Sequence, residues 1–148
     1  MVEIKNYLQM EPIIGDSKNP QFKKAVEIDA WSFVQTVPDD PAAVNHHDRT
    51  ELSVILPKDS KAGKQFFQYV RRPHPNRIDR DFDSGQHIFK EAVLTIAKLS
   101  STNKLKRFTV MKMSPVIVVA AQHDVSSDNG FLTLINLRFK KIEYVFPE

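Results

Sequence analysis

Apolar residues recur at every second position through most of this chain, and that period constrains its fold more than any other feature. In Glu51 to Leu56 the residues Leu52, Val54 and Leu56 share one side. In Ala25 to Val37 one side presents Val26, Ile28 and Ala30, and the other Glu27, Asp29, Trp31 and Phe33. Successive side chains of a strand point to opposite faces, so this alternation, in segments rich in Val, Ile, Phe and Thr, predicts strands with one face buried. A mainly β fold is expected.

The same reading places the other elements. Tyr7 to Ile14 is expected as the first strand, ended by the turn formers from Gly15 to Pro20. His87 to Leu99 alternates again. Arg107 to Val125 is long enough for two strands or one bent strand, with Pro115 at an edge or bulge. Phe131 to Phe146 closes the fold. There the apolar phase shifts from Leu137 and Phe139 to Ile142, Tyr144 and Phe146, which predicts a bulge near Lys140 and Lys141. Arg138 is expected on the exposed face of this strand, and Trp31 is expected to be buried, in the core or at a subunit boundary. One helix is expected, capped by Asp59 or Ser60 and running to about Arg72, with Ala62, Phe66, Tyr69 and Val70 toward the sheet and Phe67 beside them. Residues 38–50 and 71–85, broken by prolines and rich in polar residues, are expected as long exposed loops.

At 148 residues with 41% apolar content the chain suits a single domain over 1–148 that buries its own core. It has no Cys, which excludes disulfide scaffolds, thiolate metal sites and cysteine nucleophiles. None of the histidines at 46, 47, 74, 87 and 123 forms a helical i, i+4 pair, so no metal site and no cofactor are expected. With only 4 Gly there is no GxSxG elbow, no phosphate-binding loop and no dinucleotide fingerprint, so no enzyme activity is expected. No stretch approaches the roughly 20 apolar residues of a membrane helix. The opening residues lack the charge, apolar run and cleavage site of a signal peptide. Lys and Arg exceed Asp and Glu by 21 to 18. The arginines at 71, 72, 77 and 80 share a loop with Asp79, Asp81 and Asp83, which oppose phosphate as strongly as the arginines attract it. A small β barrel that binds nucleic acid therefore stays open as one reading.

Tyr7 to Ser17, Val26 to Phe33, Ser84 to Ile96 and Leu134 to Phe146, taken in order, resemble segments of one family, the haemolysin-coregulated proteins (Hcp) that build the inner tube of the bacterial type VI secretion system. Tyr7 to Ser17 resembles the family's opening strand, ending in Gly15, the acidic Asp16 and Ser17. Val26 to Phe33 resembles its second strand, with the triplet Trp31, Ser32, Phe33. Ser84 to Ile96 is similar to its turn into a later strand, carrying Gly85, His87 and Ile88. Leu134 to Phe146 resembles its closing strand, with Lys141, Ile142, Glu143 and Tyr144. The chain departs from the pattern at Val34, Gln35 and Thr36, where many members carry a Gly-containing stretch, and in a longer connection from Arg72 to Asp83. A divergent subfamily or a related phage tail-tube protein also fits these departures.

The resemblance implies a compact β barrel of two packed antiparallel sheets with one flanking α-helix. It implies a non-enzymatic subunit that forms six-membered rings with copies of itself. Rings stack into a tube, driven by a contracting sheath behind a spike, and some members hold effector proteins in the channel. It implies assembly in the cytoplasm, export without a signal peptide, no membrane insertion and no nucleic-acid partner. The loop from Val37 to Thr50, with Asp39, Asp40, Asn45, His46, His47 and Asp48, stands in the position of a ring-stacking contact. No toxin domain is expected after Glu148.

Overall fold

Alternation does produce strands, seven of them among the described residues. They are β1 Glu3–Gln9, β2 Val26–Ile28, β3 Ala30–Thr36, β4 Arg49–Leu56, β5 Ala92–Leu99, β6 Leu105–Ser126 and β7 Gly130–Val145. A 3-10 turn spans Pro20–Phe22 and a helix, α1, spans Ala62–Gln68. The computed structural model describes residues 3–36, 49–57, 60–71, 87–99, 105–126 and 130–145.

The strands make one sheet in the order β2-β1-β5-β6-β7-β4-β3, with each named pair antiparallel. β2 and β3 lie at opposite ends of that order, yet only Asp29 separates them in the chain. The first part of this stretch bonds β1 and the second bonds β4, so the sheet must curl until its ends meet at Asp29. The Asp29 amide donates to the carbonyl of Ile55 at 2.9 Å and fixes the corner. The expected mainly β barrel with one flanking helix is present, and its two layers are halves of one continuous sheet.

The barrel interior holds the core. Leu8, Val26, Leu52, Val54, Leu56 and Leu94 are fully buried in it, and α1 adds Ala62 and Phe66. Each such aliphatic side chain contributes on the order of 1.5–3 kcal/mol when removed from water. This burial, rather than propensity, holds a helix of 7 residues in place.

Several boundaries differ from the sequence reading. β1 starts at Glu3 and stops at Gln9, because Met10 to Ile13 closes a turn in which the Ile13 amide donates to the Met10 carbonyl at 2.8 Å. The stretch from Ala25 to Val37 is two strands rather than one. Arg49 and Thr50, expected in a loop, are the first residues of β4. Residues 87–91 precede β5 instead of forming it. β6 is a single strand of 22 residues, the bent alternative of the two.

The helix is shorter than expected and begins without a side-chain cap. Lys61 is its N-cap rather than the expected Ser60, and Asp59 lies outside the described residues. It ends early because the sheet captures the residues just after it. The Arg71 amide donates to the Val118 carbonyl at 2.9 Å, and Val70 bridges Val118. Val70 therefore leaves the buried face and is 38% exposed.

The expected bulge in β7 is absent at Lys140 and Lys141. Pairing with β6 keeps one register from Val110↔Val145 to Val118↔Leu137, and the register shift lies between Val118 and Ala120 in β6. The change of phase in β7 is nonetheless real. Leu137, Phe139 and Ile142 all meet the core, and so do Val118, Val116 and Met113, which pair with them. Both strands flip together at Ser114–Pro115 and Lys140–Lys141, so the register survives. Pro115, which cannot donate to a ladder, sits between Ser114↔Lys141 and Val116↔Phe139.

Candidate assembly interface

Most motif positions that lie among the described residues hold a packing or ladder role. Gly15 sits where two backbone segments cross. A Cβ there would lie 2.2 Å from the Ala25 carbonyl oxygen and 2.5 Å from Val26 Cα, so no larger residue fits without backbone movement. The Gly15 amide donates to the Lys24 carbonyl at 2.9 Å and the Ser17 amide to that of Ala25 at 3.2 Å. Ser17 is buried and its Oγ accepts from the Asn19 amide at 3.3 Å; Asp16 is exposed. Asn19 in turn caps the 3-10 turn, its Oδ1 accepting from the Gln21 amide at 2.9 Å.

This wrap covers the outer side of β1. Phe22 stacks on Tyr7 with centroids 4.4 Å apart and planes within 5°, and Ala25 completes a second small core. Burial, and then the negative charge of Glu27, raises the Tyr7 phenol pKa above its usual value.

The triplet on β3 alternates as a strand demands. Trp31 and Phe33 pack against the barrel core and Ser32 faces solvent. Trp31 is half-buried rather than buried. Phe33 meets Phe139 of β7 at 5.7 Å.

His87 is exposed, in a left-handed conformation at φ 64°, and its ring meets Tyr69 edge-on at 5.2 Å. Tyr69 also meets Phe89 at 5.1 Å. Phe89 exchanges both backbone hydrogen bonds with Val116, so this aromatic row fastens the end of the helix to the approach of β5. Ile88 between them is half-buried. In β7, Lys141, Glu143 and Tyr144 are exposed and Ile142 is half-buried against the core. Gly85 and the stacking-loop residues Asp39, Asp40, Asn45, His46, His47 and Asp48 lie outside the described residues.

Three pairings carried no sequence signal. Arg138, expected on an exposed face, is 5% exposed and its guanidinium lies 2.7 Å from Glu51 of β4, the residue directly across the ladder. Beside it Ser53 donates to Asn136 Oδ1 at 2.7 Å. On the helix, the Gln65 side chain accepts from the Ile14 amide at 2.9 Å and donates to the Ile14 carbonyl at 2.6 Å. Alternation shows which side of a strand a residue takes. What covers that side is set by partners distant in sequence.

Among the described residues no three His, Asp or Glu side chains gather as a metal site, and no helix is long and apolar enough to cross a membrane. The described surface carries exposed apolar side chains at Ile4, Ile14, Phe67, Val70, Tyr144 and Val145, and β3 ends the sheet order opposite β2.

No protein-family model matches the chain, and no curated protein matches it by sequence. Solved structures do. The structure of Hcp1 from Salmonella typhimurium superposes with a TM-score of 0.69 at 14% identity, covering 98% of this chain and 86% of that one. A mutant Hcp1 protein from E. coli EAEC 042 gives 0.67 at 14% identity, covering 100% and 93%. A type VI secretion system effector from Yersinia pestis gives 0.65 at 13% identity, covering 95% and 87%. Over nearly its whole length, therefore, the chain has the Hcp fold.

Proposed function

We propose that this chain is an inner-tube subunit of a type VI secretion machine. It assembles in the cytoplasm as six-membered rings, the rings stack into a tube, and the tube is exported without a signal peptide. The single observation that carries this reading is the likeness to Hcp structures along the whole chain, in which 98% of this chain meets 86% of Salmonella Hcp1. On this reading the protein is structural rather than catalytic and needs no cofactor. Its partners are its own copies, the sheath, the spike and effectors held in the channel, with no nucleic acid and no membrane insertion.

The physical chemistry supports association in a closed ring. A sheet with an open edge presents unpaired donors and acceptors, and a cyclic assembly satisfies them without unlimited growth in the ring plane. Stacking of rings is head to tail and open-ended. The segment 37–48 is assigned to that contact through Asp39, Asp40, Asn45, His46, His47 and Asp48, because polar contacts suit an interface that must form reversibly before firing.

Electron microscopy tests the reading. The unmodified protein should form rings and tubes, and the double variant Asp39→Lys, Asp40→Lys should keep the rings and lose the tubes. Tubes of normal length from the variant would remove these aspartates from the interface. Absence of rings in the unmodified protein would remove the tube reading itself.

A further inference from the structure

We propose that β3 carries the seam between neighbouring copies, with an extended segment of a second copy adding to its outer edge from Trp31 to Thr36. The inference rests on the ring reading of the proposed function and names the element through which the ring would join. An edge that is not meant to pair is usually short, charged or broken by proline. The described strands can be compared on that rule.

β2, the edge at the other end of the sheet, has 3 residues and Glu27 at its centre. β1 runs ahead of its first partner in β2 with Glu3 and Lys5, whose side chains pair at 3.2 Å. β7 runs past Arg138, its last partner in β4, with Lys140, Lys141 and Glu143, all exposed. β6 beyond its ladder with β5 is met by Phe89 and Val70. The edges of β2, β1 and β7 are thus short or charged, and that of β6 is covered at Val116 and Val118 and carries His123 and Asp124 beyond them.

β3 is different. Its 7 residues, AWSFVQT, pair with β4 on one side, contain no charged residue and no proline, and have no other strand beside them in the sheet of described residues. Trp31 and Phe33 lie against the core from its inner side, so a strand laid beside β3 would lengthen an apolar face that already exists. An uncharged edge gives a charged peptide nothing to steer by. A second copy meeting it with a different part of its surface makes a heterologous contact, the kind that closes a ring.

Residue-resolved hydrogen exchange on the unmodified protein tests this. In an edge strand only alternate amides are bonded, whereas in a paired strand all are. Assembled rings should protect consecutive amides from Trp31 to Gln35, and protomers released by dilution below the micromolar range should lose protection at alternate residues by on the order of 100-fold. Rings that show only alternate protection would overturn the seam while leaving the ring standing. Complete protection in the protomer would also overturn it, by showing that the chain's own residues cover the edge. A protein that forms no ring at all fails at the earlier reading.

Discussion

Gly15 is the residue whose identity the structure dictates most strictly, because any side chain would enter the backbone of Ala25 and Val26. Gly15→Ala should cost about 1–3 kcal/mol through forced displacement of the wrap, read as a lower urea midpoint. Its neighbour Tyr7 gives a pH dependence with a definite sign. Burial holds its phenol pKa above the usual 10.0, so the unfolded phenol ionises first as pH rises. Its stabilising contribution is whole below that usual value and is lost as pH climbs through the folded-state value. Between about pH 9 and about pH 11 the native protein should lose more stability than Tyr7→Phe, which keeps the stack on Phe22 and has no phenol to ionise. Equal losses would show that Tyr7 is not the group responsible. Arg138 is the third such residue. Removing one partner of a buried pair leaves the other uncompensated, at a cost of about 3–5 kcal/mol when both are deep. Glu51 keeps 30% side-chain exposure, so Arg138→Ala should fall at or below the lower end, and Arg138→Glu should cost more by setting a second carboxylate against that of Glu51. A charge reversal that an exposed face would tolerate therefore tests the fold at this position.

At the scale of elements, strands were legible wherever one face alone was covered. β4 shows this best: Leu52, Val54 and Leu56 share one side and are fully buried. Legibility failed where tertiary partners redirect the backbone. The corner at Asp29 leaves the alternation of Val26 to Phe33 intact in sequence while the strand changes partners. The flip at Lys140 looks like a bulge from one strand alone, and only the matching flip at Ser114–Pro115 shows that the register is kept. Arg71 binds Val118 and so ends a helix whose own residues could continue it. The Gly15, Ser17 and Trp31 motifs were readable as positions, yet their roles, a backbone crossing, a buried hydroxyl and a half-buried ring, depend on contacts that no local pattern encodes. The clamp of Gln65 on Ile14 is a further case. Gln65→Ala removes two exposed hydrogen bonds and should cost about 1–2 kcal/mol, with faster exchange at the Ile14 amide as its local signature. Unchanged exchange there would mean the turn holds itself.

For the whole molecule, the likeness to Hcp structures and the uncharged edge of β3 converge on one account, a barrel built to be completed by its own copies. Closure into a ring is its central claim, because stacking, export and cargo all presuppose it. Native mass spectrometry across a range of protein concentrations tests that claim most directly. The account predicts a dominant species near six times 17.0 kDa that persists on dilution into the micromolar range. A protein that remains at 17.0 kDa at the highest concentrations measured would contradict it.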